Sequence, residues 1–69
     1  MPGEFAIGER VCVLRGPAAL AAAGRAGEVV WVLRDPATDA VLSYAVRLDA
    51  AEPEYVTTYP HELEREGGG

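Results

Sequence analysis

Alternating apolar side chains along residues 9–15 predict a first β-strand. Val11 and Val13 share one face of this strand, and Cys12 and Leu14 share the other, because side chains alternate sides along a strand. The glycine–proline pair that follows ends the strand, since proline has no amide hydrogen to donate. The chain's regular structure is therefore expected to begin with a short strand that is apolar on both faces.

The second predicted strand, at about residues 27–34, contains five apolar residues in an unbroken run. A small barrel has one interior, so one of the two alternating sets in this run must face outward. We expect Val30 and Val32 to face the interior. The outward set is then Val29, Trp31 and Leu33, covered in part by Leu20 or Phe5. The opposite assignment, with Trp31 in the core, also fits the pattern.

The later elements follow from the same alternation and from turn chemistry. Residues 41–48 and 55–59 predict a third and a fourth strand, rich in β-branched and aromatic side chains. Residues 60–62 predict a tight helical turn that leads into a last pairing segment around 63–64. The alanine-rich stretch 17–23 is too short for an isolated helix and predicts a single helical turn. The inner face of the third strand is expected to carry Leu42, Tyr44, Val46 and Leu48.

This order of elements predicts an all-β fold, a five-stranded SH3-like barrel with a short helical turn at about 17–23. We expect residues 1–66 to form one domain and the glycines 67–69 to form a flexible tail. Three glycines are expected to serve the turns between strands, where glycine permits positive φ or a close approach of two backbones. These are Gly16, Gly24 and Gly27.

The charge of the chain bears most strongly on the kind of partner. The formal net charge is −5, and all six basic residues are arginines spread singly along the sequence. Nucleic-acid binding depends on clustered cations that displace counterions from phosphates. We therefore expect no nucleic-acid partner. No apolar run approaches the roughly 20 residues that span a bilayer, and the single cysteine excludes an internal disulfide, so a cytoplasmic protein without membrane contact is expected.

The sequence offers little for catalysis. His61 is the single histidine, and a metal or general-base site would need a second ligand or an orienting carboxylate beside it. Glu62 and Glu64 are close in sequence, but a His-Glu-x-Glu run in a terminal turn is typical of a solvated turn. Cys12 lies within a strand and suits a small apolar core role. With no Ser/His/Asp set and no phosphate-binding loop, we predict no catalytic residues, no metal, no cofactor and no enzyme activity.

The aromatic residues suggest an interaction surface instead. SH3-like barrels often bind extended peptides along grooves lined by aromatic side chains, and aromatic anchors dominate interface energetics. The alternative is that these rings pack the barrel and its rim. The predicted partner-binding residues are Trp31, Val29, Leu33, Leu20, Tyr44, Tyr55 and Tyr59.

Several motifs resemble those of known families. The step Gly-x-x-Gly-x-Val at residues 24–29, after a short strand, resembles a KOW-type motif. Residues 8–64 are similar in layout to the small barrel protein of photosystem I, which shares the Val-x-Val-Leu-Arg first strand seen at residues 11–15. The Tyr-x-Val-Arg of residues 44–47 and the late Glu-Leu of residues 62–63 are similar to the barrel at the end of the β chain of nitrile hydratase. These resemblances imply a barrel fold more than a particular activity.

The expected function is a non-catalytic protein-interaction module, either a small accessory subunit or a docking factor of a larger complex. Its partner is expected to present a basic or an apolar patch, and a homodimer remains open. One alternative is a KOW-like factor that contacts RNA or the transcription or translation machinery. Another is a small subunit of a nitrile-hydratase-like or redox enzyme assembly.

Overall fold

Five antiparallel strands form one sheet in a computed structural model of the chain, which describes residues 4–14 and 22–66. The prediction of an all-β fold is confirmed. A 3-10 turn lies at Pro60–Glu62, as the sequence predicts, and Ala22 is also in 3-10 conformation. The strands are β1 (Arg10–Val13), β2 (Ala26–Arg34), β3 (Val41–Leu48), β4 (Glu54–Thr58) and β5 (Leu63–Arg65).

The strand order β4-β3-β2-β1-β5 requires a strongly curled sheet. In a flat sheet the two edge strands, β4 and β5, would lie roughly 19 Å apart, which is four strand spacings. The chain from Thr58 to Leu63 passes through the 3-10 turn and reaches only roughly 14 Å. The turn also packs against β3, the neighbour of edge strand β4. The two edges must therefore bend towards each other, which gives the sheet a barrel-like form.

The interior is filled by the alternating apolar positions of the strands. Val11 and Val13 of β1 are fully buried, as are Val46 and Leu48 of β3. Each buried aliphatic side chain of this size stabilises the fold by about 1.5–3 kcal/mol. Five further residues complete the core: Phe5, Ala22, Val29, Tyr44 and Leu63.

A β-bulge at Val30 corrects the predicted facing of β2. Val29 pairs with Val46, and Trp31 pairs with the next residue along β3, Ala45, so Val30 is an extra residue on β2. The bulge resets the alternation. Val29 is therefore fully buried, where an outward position was expected, whereas Trp31 beyond the bulge faces solvent.

A second irregularity, on β3, corrects the position of Leu42. Leu33 pairs with Ser43 and Arg34 pairs with Val41, which leaves Leu42 as the extra residue. Leu42 is exposed, although strict alternation along residues 41–48 places it on the inner face. Strand periodicity cannot locate such an insertion, because one additional residue exchanges the inner and outer sets.

The N-terminal segment packs onto the sheet through Phe5. Its ring meets the ring of Tyr44 edge to face, with centroids 5.5 Å apart, and the Arg65 guanidinium lies over it at 5.4 Å from the ring centroid. The chain then reverses in a turn closed by the N–H of Glu9 donating to the carbonyl of Ala6, with Gly8 at φ +93°. Phe5 is thus a core residue and is not a cover for Trp31. The predicted helical turn at about 17–23 and the glycine tail 67–69 lie largely or wholly outside the described residues.

Candidate docking surface

The outer face of strands β2, β3 and β4 carries large exposed apolar side chains. Trp31 is 61% exposed, and Leu33 follows it two residues along β2 on the same face. Tyr55 of β4 is 62% exposed. Soluble domains of this size rarely leave such side chains uncovered together without a use for them. The Val30 bulge creates this exposure, because it turns Trp31 outward.

Strand register places these side chains on one face of the sheet. Ala45 lies directly opposite Trp31 on one side and opposite Thr57 on the other, so the three form a row across the sheet. Tyr55 stands two residues from Thr57 on the same face of β4. Because the Ala45 side chain is small, the surface of the sheet is lower there than at the neighbouring Trp31. We call this surface the aromatic face; it consists of Trp31, Leu33, Ala45, Tyr55 and Thr57.

An ion pair borders the aromatic face. Arg47 lies opposite Tyr55 on β4 and opposite Glu28 on β2. Its Nη2 donates to Oε1 of Glu28 over 2.8 Å. The one arginine beside the Tyr55 ring is therefore already engaged by a carboxylate of its own sheet.

Two of the predicted partner-binding residues are not on this surface. Val29 is fully buried, and Tyr44 is 1% exposed with its phenolic oxygen accepting a hydrogen bond from the Phe5 N–H at 3.0 Å. Both were expected to contact a partner, and both are core residues instead. For Tyr44 the sequence held the correct signal, because the alternation of the third strand places it inward.

Tyr59 lies just beyond the end of β4 and is half-exposed. Its ring stacks on that of His61, with centroids 6.1 Å apart and planes 13° from parallel. The Tyr59 N–H donates to Oε1 of Glu62, a buried carboxyl in the 3-10 turn. Tyr59 is therefore held at the margin of the aromatic face by the turn that follows it.

The arginines do not form a free basic patch. Each of the five arginines in the described residues pairs with at least one carboxylate. The pairs join Arg10 to Asp49 and Glu66, Arg25 to Glu54, Arg34 to Glu4 and Asp39, Arg47 to Glu28, and Arg65 to Glu9. These exposed pairs contribute little stability individually. They matter because they neutralise the cations that a nucleic-acid surface would need.

The Arg10 network is the most extensive of these pairs. Its Nη1 donates to Oδ1 of Asp49 over 3.0 Å, its Nη2 donates to Oδ2 of the same carboxylate, and its Nε donates to Oε1 of Glu66 over 2.8 Å. The hydrogen bonds that Arg10 donates lower the pKa of Asp49 below its ordinary value, and the acceptance of these bonds by Asp49 and Glu66 raises the pKa of Arg10. The network joins β1, the β3–β4 loop and the residue after β5.

Other candidate chemistry is sparse. In residues 4–14 and 22–66 no three His, Cys, Asp or Glu side chains are grouped to hold a metal ion. Cys12 is a half-buried free thiol on β1. A shallow concavity beside the β3–β4 loop is lined by residues 47–50 and Pro53. Its carboxylate, Asp49, is already held by Arg10, so the concavity offers no free charged group of that kind.

Two of the three predicted turn glycines are described by the structure, and each has a different reason to be glycine. Gly24 has φ +86°, a conformation that glycine adopts freely. Gly27 has no positive φ, but a Cβ there would lie 2.4 Å from the carbonyl oxygen of Arg47. Gly27 is therefore required by the close approach of β2 and β3. Gly16 and Leu20 lie outside the described residues.

Comparison with family models, with curated proteins and with solved structures finds no match to this chain. Within the part of the chain that the structure describes, no helix is long and apolar enough to cross a lipid bilayer.

Proposed function

We propose that this protein is a non-catalytic protein-interaction module that binds its partner through the aromatic face. The observation that carries the proposal is the exposure of Trp31, Leu33 and Tyr55 on one side of the sheet. Tryptophan and tyrosine are the side chains that most often anchor protein interfaces. The module would act as an accessory subunit or docking factor, and we place it in the cytoplasm because its one cysteine calls for no oxidising compartment.

The SH3-like assignment is part of this proposal. It is supported by the return of β5 to pair with β1, which brings the last strand back beside the first. The resemblance to KOW-type and related barrels supports the same assignment. A small barrel of this kind offers its outer faces and loops, rather than an interior cavity, for binding.

The RNA-binding alternative receives less support. It would need a contiguous patch of free arginines, whereas the five described arginines are all engaged by carboxylates. An electrophoretic shift assay with mixed RNA at low salt separates the two functions. We expect no shift, and a micromolar, salt-sensitive shift would favour the alternative.

Affinity purification from the native host, followed by mass spectrometry, tests the proposed function. The tagged wild type is compared with the double variant Trp31→Ser, Tyr55→Ser. The matched control is Ile7→Ser, because Ile7 is 60% exposed but lies in the N-terminal turn outside β2–β4. We expect a stoichiometric partner with the wild type and the control, and its loss with the double variant. Retention of every partner by a correctly folded double variant would contradict the proposal.

A further inference from the structure

We propose that the partner segment that binds the aromatic face is a basic polypeptide, whose arginine or lysine side chains pack on the Trp31 and Tyr55 rings. This inference rests on the proposed function and specifies the chemistry of the partner. Its basis is the placement of charge around the aromatic face.

The acidic charge of the chain is concentrated in the segment from β2 to β4, mainly in the turn and the loop that connect these strands. Residues 28–59 contain six acidic and two basic residues, a net charge of −4 out of the total of −5. The remaining residues are therefore nearly neutral. Asp49 and Glu54 are paired with Arg10 and Arg25 from outside this range, which leaves Asp35 and Glu52 as its carboxylates without an arginine partner in the described residues. A partner that contacts β2–β4 meets their negative potential, which attracts cations over distances of about a Debye length.

The two arginines in this region do not supply the aromatic rings with free cations. Arg47 is paired with Glu28 at 2.8 Å, and Arg34 is paired with Glu4 at 3.0 Å. The faces of the exposed Trp31 and Tyr55 rings carry negative electrostatic potential. A guanidinium or ammonium group from another chain gains cation–π attraction at such faces, and tryptophan is the strongest ring for it.

Carboxylates lie at both ends of the strands that bear the aromatic face. Asp35 and Asp39 occupy the β2–β3 turn, next to the end of β2 that carries Leu33. Glu52 lies in the β3–β4 loop close to Tyr55, and it forms no ion pair within the described residues. An extended basic segment that runs along the strands would therefore meet aromatic rings at its centre and carboxylates at its ends.

Other occupants fit this surface less well. A second copy would bring the same concentration of negative charge against itself, at a cost in like-charge repulsion. Nucleic acids and anionic lipid surfaces would meet the same repulsion. A neutral apolar segment would gain from the rings but nothing from the surrounding carboxylates. A basic polypeptide uses both features.

A peptide array provides the primary test. The probes are 12-residue peptides in which the numbers of Arg and Lys, of Asp and Glu, and of apolar residues vary independently. We expect the labelled wild-type protein to bind preferentially peptides of net charge +3 or more, and to bind them more weakly when salt is raised from 50 to 500 mM. Preference for neutral or acidic peptides, or binding of no peptide, would overturn the inference.

Titration of selected basic peptides in solution then locates the contact. Trp31 is the single tryptophan, so its fluorescence reports binding directly. Tyr55→Leu keeps apolar area but removes a ring, and we expect a loss of affinity of about two- to fivefold. Glu52→Lys should weaken binding more than Glu64→Lys, which makes the same charge change on β5 at the opposite edge of the sheet order. Equal effects of the two lysine variants would overturn the inference.

The outcomes separate this inference from the proposed function. If neutral apolar peptides bind and are lost in the folded double variant Trp31→Ser, Tyr55→Ser, the aromatic face docks a partner but the partner is not basic. If sedimentation shows that wild type dimerises through the same side chains, a second copy is the occupant and the inference is wrong. If basic peptides bind equally well to the double variant, the aromatic face is not the site and both proposals fail.

Discussion

The backbone N–H of Phe5 donates a hydrogen bond to the phenolic oxygen of Tyr44 over 3.0 Å, although 39 residues separate them in the sequence. Both residues are buried, so no water replaces this bond if it is lost. The hydroxyl of Tyr44 thus fastens the N-terminal segment to the middle of the sheet. Tyr44→Phe should destabilise the protein by about 1–3 kcal/mol, because the Phe5 N–H is left without an acceptor.

Denaturant unfolding of Tyr44→Phe measures this effect. Tyr55→Phe removes the same hydroxyl from an exposed ring and should leave the free energy of unfolding nearly unchanged. Equal stability of the two variants would show that the buried hydrogen bond contributes nothing.

Gly27→Val should destabilise the protein by about 1–3 kcal/mol or more, because the added side chain overlaps the neighbouring strand. A Cβ at this position would lie 2.4 Å from the Arg47 carbonyl oxygen and 2.9 Å from Cγ1 of Val46. Gly24→Asn is the control, since Asn tolerates positive φ and nothing lies within 4 Å of a Cβ there. We expect thermal melting to show a large loss for Gly27→Val and a small one for Gly24→Asn. A wild-type melting curve for Gly27→Val would mean that β2 and β3 separate without cost.

Thr58→Val should leave stability unchanged or raise it by up to about 1 kcal/mol. Thr58 is fully buried, and its hydroxyl oxygen has no hydrogen-bond partner among the described residues. Valine has nearly the same shape as threonine, and it removes a buried polar atom whose desolvation is not compensated by a hydrogen bond. Thr58→Ser keeps the hydroxyl and loses the methyl group, so it should be less stable than wild type. Destabilisation by Thr58→Val in chemical denaturation would instead reveal a partner for the hydroxyl.

Because of Asp49, the free energy of unfolding should fall as the pH becomes acidic. Its pKa is lowered in the folded state by hydrogen bonds from Arg10, so the stabilisation is fully present above the ordinary aspartate pKa of 3.8. It is lost as the pH falls through the lower pKa of the folded state. Unfolding curves between pH 2 and 6 should show a shallower pH dependence for Asp49→Asn than for wild type. Asp35→Asn, which removes a carboxylate with no arginine partner in the described residues, serves as the control.

Trp31→Ala and Val29→Ala should differ sharply in stability, although the residues are two positions apart. Trp31 is 61% exposed, so its loss should change the free energy of unfolding by no more than about 0.5 kcal/mol. Val29 is fully buried, and its truncation should cost about 1.5 kcal/mol or more. A loss of about 3–5 kcal/mol for Trp31→Ala would place the indole in the core and remove the basis of the aromatic face.

Periodicity predicted the strands well because most of them obey strict alternation. Val46 and Leu48 lie inside as expected, Val11 and Val13 share one face as predicted, and the five strands fall close to their predicted ranges. The facing within β2 was wrong at Val29 because the bulge at Val30 interrupts the alternation. An unbroken apolar run contains no polar residue to mark the position of such an insertion. The first of the two sequence assignments placed Trp31 outside, which agrees with the structure. It also placed Val29 outside, because it assumed one unbroken alternation along β2.

The pairing of the arginines could not be predicted from their spacing. Arg10 and Asp49 are 39 residues apart, and Arg34 reaches back 30 residues to Glu4. Only the strand register brings these groups together. Composition alone determines the sign of the net charge, whereas the three-dimensional structure determines which carboxylate each arginine pairs with.

The pairing of β1 with β5 also constrains how the protein can fold as it is synthesised. Val13 pairs with Leu63 and Val11 with Arg65, so these contacts join residues about fifty positions apart. Contacts of such long range slow folding, because the intervening chain must be ordered before they form. A ribosome that adds about 5–20 residues per second would leave one edge of β1 without its partner for several seconds. During that interval the nascent sheet presents an unpaired strand edge, which is covered only when β5, a strand of three residues, pairs with β1.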